Sequence, residues 1–282
     1  MPETQAFSAP RPAWSPPTGT LGELVNASHA RAAAFVHEQQ SWRERALAHG
    51  PVPSFRAALR RETVAVITEV KRRSPSKGDI NAGLDAAGRA ALYERAGAAA
   101  ISVLTEPVRF GGTLQDLEDV ARAVSVPVLR KDFIVHRVQL YQARALGASA
   151  ALLIARALPE RALLELAKIA EDIGLETLVE VRDEAELARA LRVGAKIIGV
   201  NNRNLESLVM EDGTAERIVP LIPRTVVAVA KSGMRTAPDV VRAALAGADA
   251  VLVGSAVSAA EDVAAAVAPL TNVPVGRDAR PD

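Results

Sequence analysis

The sequence predicts an α/β fold, a (β/α)8 TIM barrel with an N-terminal helical extension. Eight short apolar runs end at Glu69, Thr105, Lys131, Ala155, Glu180, Asn201, Lys231 and Gly254, and consecutive ends lie 21 to 36 residues apart. Each interval holds one helix and one strand, the repeat of a closed parallel barrel. Hydrophobic residues make up 49% of the chain but aromatics only 3%. The core must therefore be built from Ala, Val, Leu and Ile, which suits helices packed on a parallel sheet. The competing fold, an open doubly wound sheet, carries a phosphate loop after its first strand. Neither GxGxxG nor GxxxxGK[ST] occurs here.

Four zones follow along the chain. Residues 1–19 are rich in Pro, Ser and Thr and read as a disordered tail. Residues 20–60 read as a helical extension, and its part over 20–48 as a lid or brace on the barrel, with a dimerisation arm as the competing reading. Residues 61–270 hold the barrel, and 271–282 form a polar C-terminal tail. Between the apolar runs the helix period is visible, as in Leu163, Leu166, Ala167 and Ala170, and again in Leu187, Ala190 and Leu191. Asp183, three residues before Glu186, has the spacing of a capping box, and Thr236, with Asp239 three on, reads as another N-cap. Gly97, Gly147, Gly174, Gly194 and Gly247 each stand just before the next apolar run, where a helix C-cap belongs.

Bulk composition narrows the function. The 282 residues carry 34 basic and 33 acidic side chains, a net charge of +1, which gives no reason to expect a nucleic-acid partner. Cysteine is absent, so disulfides and thiolate metal sites are excluded. No apolar run reaches the roughly 18 residues of a membrane helix. The N-terminus lacks the basic and apolar regions of a signal peptide. The chain reads as a soluble, cytoplasmic protein with no membrane partner. Its four histidines, at 29, 37, 49 and 136, end no strand and read as surface residues. No His and carboxylate cluster has metal-ligand spacing, so neither a metal nor another cofactor is expected.

The first strand ends unusually. VAVITEVKRRSPSKG, Val64 to Gly78, runs from an apolar strand into Glu69, Lys71, Arg72, Arg73 and Lys77. In a barrel, active sites gather at the C-terminal strand ends. Lys131 ends strand 3, Glu180 strand 5 and Asn201 strand 6. Alternation along a strand puts Glu69 and Lys71 on one face. These five residues have the parity to converge on one pocket. The competing readings are a solvated rim and a structural ion-pair network. After strands 7 and 8, KSGMRT and VGSAVSAAED place Ser232, Gly233, Gly254 and Ser255 where barrels bind a phosphate. Ser74 and Lys71 would complete that shell. Each Gly-Ser pair alone also fits a plain strand end.

These residues resemble a known family. EVKRRSPSKG, SVLTEPVRFGGT, VLRKDFIV, LVEVRDEAEL, IIGVNNRNL and DAVLVGSA are similar, in order and spacing, to the signature segments of indole-3-glycerol phosphate synthase, from about residue 20 to 270. The resemblance implies a carboxy-lyase of tryptophan biosynthesis. Such an enzyme closes the indole ring of 1-(o-carboxyphenylamino)-1-deoxyribulose 5-phosphate with loss of CO2 and water. It implies Lys131 as the acid at the substrate ketone and Glu180 as the base at the ring carbon. Lys71 would be a second acid or carboxylate anchor, Glu69 would hold that lysine, and Asn201 would hydrogen-bond the substrate. Phe110 and Phe133 would wall the aromatic ring, Arg203 would pack over it, and Ser74 would help hold the phosphate. The partner so implied is a small phosphosugar-anthranilate, and the expected assembly is a monomer or weak homodimer.

One position departs from the resemblance. The family's strand 7 usually reads AESG, whereas this chain reads VAKSG, with Lys231 at the substrate site in place of the glutamate. A cation there would lower the pKa values of Lys71 and Lys131 and remove an acid-base partner. Three outcomes are open: a working enzyme, a binding protein with impaired turnover, or an altered or engineered variant. Another phosphosugar isomerase or aldolase barrel is the reading from a different class; an aldolase would need a Schiff-base lysine, for which Lys131 and Lys231 are the candidates.

Overall fold

The computed structural model describes residues 14–76 and 78–282. Most of the expected disordered tail, and Lys77, lie outside the described residues. Eight parallel strands close into a barrel: β1 Ala65–Val70, β2 Ala100–Leu104, β3 Val128–Lys131, β4 Ala150–Ile154, β5 Glu176–Val181, β6 Ile197–Asn201, β7 Val227–Lys231 and β8 Ala250–Val253. Each strand pairs with its sequence neighbours, and β1 closes on β8. The strands are buried on both faces because helices cover the outside and side chains fill the inside. All eight strand ends fall at or within a residue of the positions read from the sequence.

Helices α4 Ala86–Arg95, α6 Leu114–Ala123, α7 Arg137–Ala145, α8 Glu160–Asp172, α9 Glu184–Arg192, α10 Thr214–Ile218, α11 Ala237–Leu245 and α13 Val263–Val267 alternate with the strands, and short α5 Pro107–Phe110 and α12 Ser255–Ser258 sit at strand ends. Leu163, Leu166 and Ala170 of α8 are buried, as the period predicts, while Ala167 is only part-buried. The expected helix-end glycines take positive φ, Gly97 at 96° for example. Thr236 and Asp239 form a full capping box. Asp183 caps α9, but the return bond is missing because Glu186 turns its carboxylate to the Arg182 N–H at 2.8 Å.

The segment before β1 wraps the barrel from mouth to base. Helix α1, Gly19–Ala34, lies along the C-terminal mouth. Its Ser28 hydroxyl donates to the Phe133 carbonyl, and Arg31 pairs with Asp132 at 2.7 Å and Glu106 at 3.1 Å. Helix α2, Gln39–Ala48, packs on α7. Helix α3, Phe55–Ala58, sits at the opposite end, where Ser54 and the Arg56 N–H hold the carboxylate of Glu176, the first residue of β5. Residues 14–18, expected within the disordered tail, are tied down. The Trp14 indole donates to the Arg156 carbonyl, and Thr18 donates to Glu206.

The C-terminal segment, read as a polar tail, is also part of the fold. Val64 N–H donates to Val273 and Val275 N–H to Glu62. Arg280 is fully buried, and with Arg277 it faces the fully buried Asp249 carboxylate at 3.0 and 2.6 Å. A buried carboxylate requires such partners, so polarity here marks internal pairing rather than solvation. Two histidines read as surface residues prove half-buried and structural for the same reason. His136 accepts from the Val138 N–H to cap α7, and His49 contacts Arg144 at 2.8 Å. Among the described residues no helix is long and apolar enough to cross a membrane.

Candidate active site

A cavity of about 400 Å³ opens at the C-terminal end of the barrel. It is lined by Glu69, Lys71, Ser74, Lys131, Asn201 and Lys231, by Phe110, Phe133 and Arg203, and by Ser232, Gly233, Gly254 and Ser255. The structure therefore brings together every residue predicted for the site except Glu180, which is in contact with Lys231 and borders a small neighbouring cavity.

Barrel parity makes this convergence. Register pairs Glu69 with Ser102, Leu104 with Lys131, Glu180 with Gly199, and Asn201 with Lys231, which in turn pairs with Leu252. Glu69 bridges two ammoniums, Lys71 at 2.7 Å and Lys131 at 2.9 Å. Burial alone would raise its pKa. The charges of Lys131 and Lys71 instead bring it down to about 2. Burial also opposes the charge on Lys131, but Glu69 and Glu180 hold its pKa above the ordinary lysine value. Gly254 shows a role that differs from phosphate contact. A Cβ there would stand 2.6 Å from Glu69 Oε1 and 2.8 Å from Lys71 Nζ, so any other residue would have to displace the tips of that pair.

Across the barrel, Glu180 has a different set of partners. Lys231 donates to its Oε2, and Asn201 Nδ2 donates to its Oε1 at 2.9 Å. Burial opposes ionisation, yet Lys231 and Asn201 keep Glu180 below the ordinary carboxylate range. Asn201 Oδ1 accepts from the Ser232 hydroxyl at 2.7 Å and the Arg203 N–H at 3.0 Å. Ser232, expected to face a phosphate, thus has its hydroxyl engaged by Asn201, and its φ of 65° is in the left-handed region. Ser74 is buried, and its Oγ has no hydrogen-bond partner among the described residues. It stands in a hairpin of Arg73–Ser74 and Gly78–Asp79 that overhangs the cavity. Phe110 and Phe133 face each other with ring centroids 6.2 Å apart.

Several residues of the site were not singled out from sequence. Thr20 and Leu24 of α1 line the cavity, as do Met210, Met234 and Arg235. Glu106 is fully buried and accepts from the N–H groups of Val108, Arg109 and Phe110, so it sets the position of the Phe110 ring. A Glu followed by Pro107 at a helix start was the available signal. Glu186 shares a small cavity of about 20 Å³ with Glu180 and Asn201, room for about one water. Its pKa is pushed up to about 7 by burial and by Asp183. In contrast, Arg130 and Asp132 beside Lys131 point away from the cavity and pair with each other at 3.0 Å. Arg182 pairs with Glu211 on the rim at 2.8 Å.

Fold and site together define a (β/α)8-barrel enzyme that gathers lysines, carboxylates and two Ser-Gly loops at its strand ends. Two solved structures share the barrel at low identity. Thiamine phosphate pyrophosphorylase from Pyrococcus furiosus has a TM-score of 0.54 at 19% identity, covering 75% of this chain and 95% of its own. For 3-hexulose-6-phosphate synthase from Salmonella typhimurium the values are 0.60, 15%, 73% and 96%. Sequence comparison goes further. The family model described as indole-3-glycerol phosphate synthase matches residues 23–270. The Streptomyces griseus subsp. griseus protein of that name is 56% identical over 214 residues, 76% of this chain and 80% of its own. Indole-3-glycerol phosphate synthase 1 of Streptomyces coelicolor is 54% identical over 228 residues, 81% and 85% of the two chains. The chain belongs to the indole-3-glycerol phosphate synthase family, carboxy-lyases of tryptophan biosynthesis.

Proposed function

We propose that this chain closes the indole ring of 1-(o-carboxyphenylamino)-1-deoxyribulose 5-phosphate, with loss of CO2 and water, by acid-base catalysis in the mouth cavity. The observation that carries the reading is Glu69 bridging Lys71 and Lys131 on the cavity wall beside the β7 and β8 loops. Two cations around one carboxylate leave a net positive site. It suits a substrate carrying a carboxylate and a phosphate. Lys131, kept protonated by its two carboxylate neighbours, donates to the ketone oxygen as the ring carbon attacks. Lys71 anchors the anthranilate carboxylate or acts as a second acid, and Glu69 positions both lysines. Asn201 hydrogen-bonds the substrate. Ser74 and the loops of Ser232, Gly233, Gly254 and Ser255 receive the phosphate. Phe110 and Phe133 give the ring an apolar wall with Arg203 over it.

Glu180 is the base that removes the ring proton. Its pairing with Lys231 weakens it, because an ammonium in contact stabilises the carboxylate over the acid. Slow turnover follows. A second reading, substrate binding with impaired turnover, is favoured by this same pair. Residues 20–48 of the helical extension over 20–60 serve as lid and brace of the barrel over 61–270, since α1 supplies Thr20 and Leu24 to the cavity. The large exposed apolar side chains, such as Val36, Leu47 and Val108, are spread over several elements, with only Val241 and Leu245 among the described residues sharing one helix, which suits a monomer or weak homodimer; its compartment on this reading is the cytoplasm.

The test is a fluorescence assay for indole-3-glycerol phosphate on this chain and on Lys231→Glu side by side. The expected result is product from both, faster from Lys231→Glu. Product from Lys231→Glu alone favours the binding reading. Product from neither removes the synthase reading.

A further inference from the structure

Lys231 lines the cavity, and the ring-closure scheme gives it no step. The chain contains six lysines, and three of them, Lys71, Lys131 and Lys231, line this one cavity. Lys71 and Lys131 share one carboxylate, Glu69. Lys231 is built differently. It is 2% exposed and has its own carboxylate, Glu180, in direct contact. Its stem crosses β6 at Gly199, where a Cβ would stand 3.1 Å from Lys231 Cδ. Glu180 is held from the other side by Asn201, so the proton acceptor is fixed in place. Burial and the nearby Lys131 charge push the Lys231 amine down from the ordinary lysine range, against the pull of Glu180. A desolvated amine with an adjacent proton acceptor and a second cation nearby is the arrangement that makes lysine a carbonyl nucleophile.

We propose that Lys231 forms an imine with the carbonyl carbon of a phosphorylated ketone held in the cavity. Glu180 takes one proton from the Lys231 ammonium. The neutral Nζ attacks the carbonyl carbon, the C–N bond forms, and the carbonyl π pair moves to oxygen, which takes a proton from Lys131. The new C–N nitrogen returns a proton to Lys131. The nitrogen lone pair then expels the hydroxyl, which leaves as water with the proton of Glu180. Ammonium plus ketone thus give iminium plus water, with no oxidation or reduction. The iminium is an electron sink, which opens proton abstraction or aldol-type C–C cleavage at the adjacent carbon. The inference shares with the synthase reading the entry of a phosphorylated ketone, and nothing of ring closure.

The experiment incubates the full chain with dihydroxyacetone phosphate, reduces with sodium borohydride, and maps lysine adducts by peptide mass spectrometry. Exposed Lys168 and Lys196 serve as internal controls. The expected result is a reduced adduct on Lys231, ~10-fold or more above those controls, suppressed by excess inorganic phosphate. It is absent in Lys231→Met and in Lys231→Arg. The arginine variant keeps a cation opposite Glu180, and its fold is checked by circular dichroism. An adduct on Lys131 or Lys71 instead, or none on Lys231 above the controls, overturns the proposal. Synthase product without a Lys231 adduct sinks the imine alone; an adduct without synthase product from either chain sinks the synthase reading alone.

Discussion

Glu69 and Glu180 are both buried carboxylates at strand ends of one barrel, and they are neutralised in opposite ways. Two ammoniums surround Glu69, and its cluster is open to the cavity. One ammonium and one amide hold Glu180, and of this cluster Lys231 and Asn201, not Glu180, line the mouth cavity. The first arrangement carries excess positive charge to whatever enters. The second is balanced and presents little to the cavity. The count of charges around a buried carboxylate, more than its place in the fold, decides whether it works as a scaffold for acids or as a base held in check.

The largest effects test that contrast directly. Lys131→Met removes the acid on the open side, and kcat for ring closure should fall by about 10²–10⁴-fold with KM moving far less. Steady-state kinetics decide it; a change in KM alone would make Lys131 a binding residue. On the closed side, Lys231→Met leaves Glu180 buried with only Asn201 in contact. Losing one partner of a buried pair costs roughly 3–5 kcal/mol, reduced as the orphaned carboxyl takes up a proton. Urea denaturation near neutral pH measures it. A cost below about 1 kcal/mol would show that the two charges gain little from each other.

The pH dependence separates the clusters further. Folding moves the Glu69 pKa from 4.5 to about 2. A depressed carboxylate stabilises the fold above its unfolded value and loses that contribution as pH falls from about 4.5 through 2. The shift corresponds to about 3 kcal/mol. The stability gap between the parent chain and Glu69→Gln should therefore be full at pH 6 and shrink steadily below pH ~4.5. Lys131 acts at the other extreme. Its raised pKa contributes stability present below 10.5 and lost only as pH rises past the folded value. A gap that is flat down to pH ~3 would mean that Glu69 is not held by charge.

The barrel was legible because its signal is periodic: eight apolar runs, helix faces between them, and glycines at the joints. The residues of the site were legible because barrel geometry fixes where strand ends meet, so Glu69, Lys131 and Asn201 needed only the right parity. What escaped depends on contacts distant in sequence. Arg280 reads as a tail residue until Asp249, buried at the start of β8, is seen to need it. Trp14 and Thr18 read as disordered until Arg156 and Glu206 receive them. Gly254 reads as an anion-binding glycine, although its most crowded neighbours are the Glu69 and Lys71 side chains. Lys231 was visible as a departure, but a sequence does not say which carboxylate it reaches.

The smallest effect sharpens the closed side alone. Glycine inside a strand carries an entropic cost of roughly 0.5–1 kcal/mol relative to alanine, so Gly199 in the middle of β6 needs a reason. Its added Cβ would lie 3.1 Å from Lys231 Cδ and 3.3 Å from Leu178 Cδ1. Neither neighbour yields readily, since Leu178 is fully buried and Lys231 is anchored at its far end by Glu180. Gly199→Ala should then destabilise by about 1 kcal/mol despite the entropic gain. In a Lys231→Ala background the stem is gone, and the same change should be neutral or stabilising. A double-mutant cycle by thermal or urea unfolding should return a coupling of about 1 kcal/mol. A coupling near zero would mean that the lysine stem does not need the glycine, and the path from β7 across β6 to Glu180 would have to be redrawn.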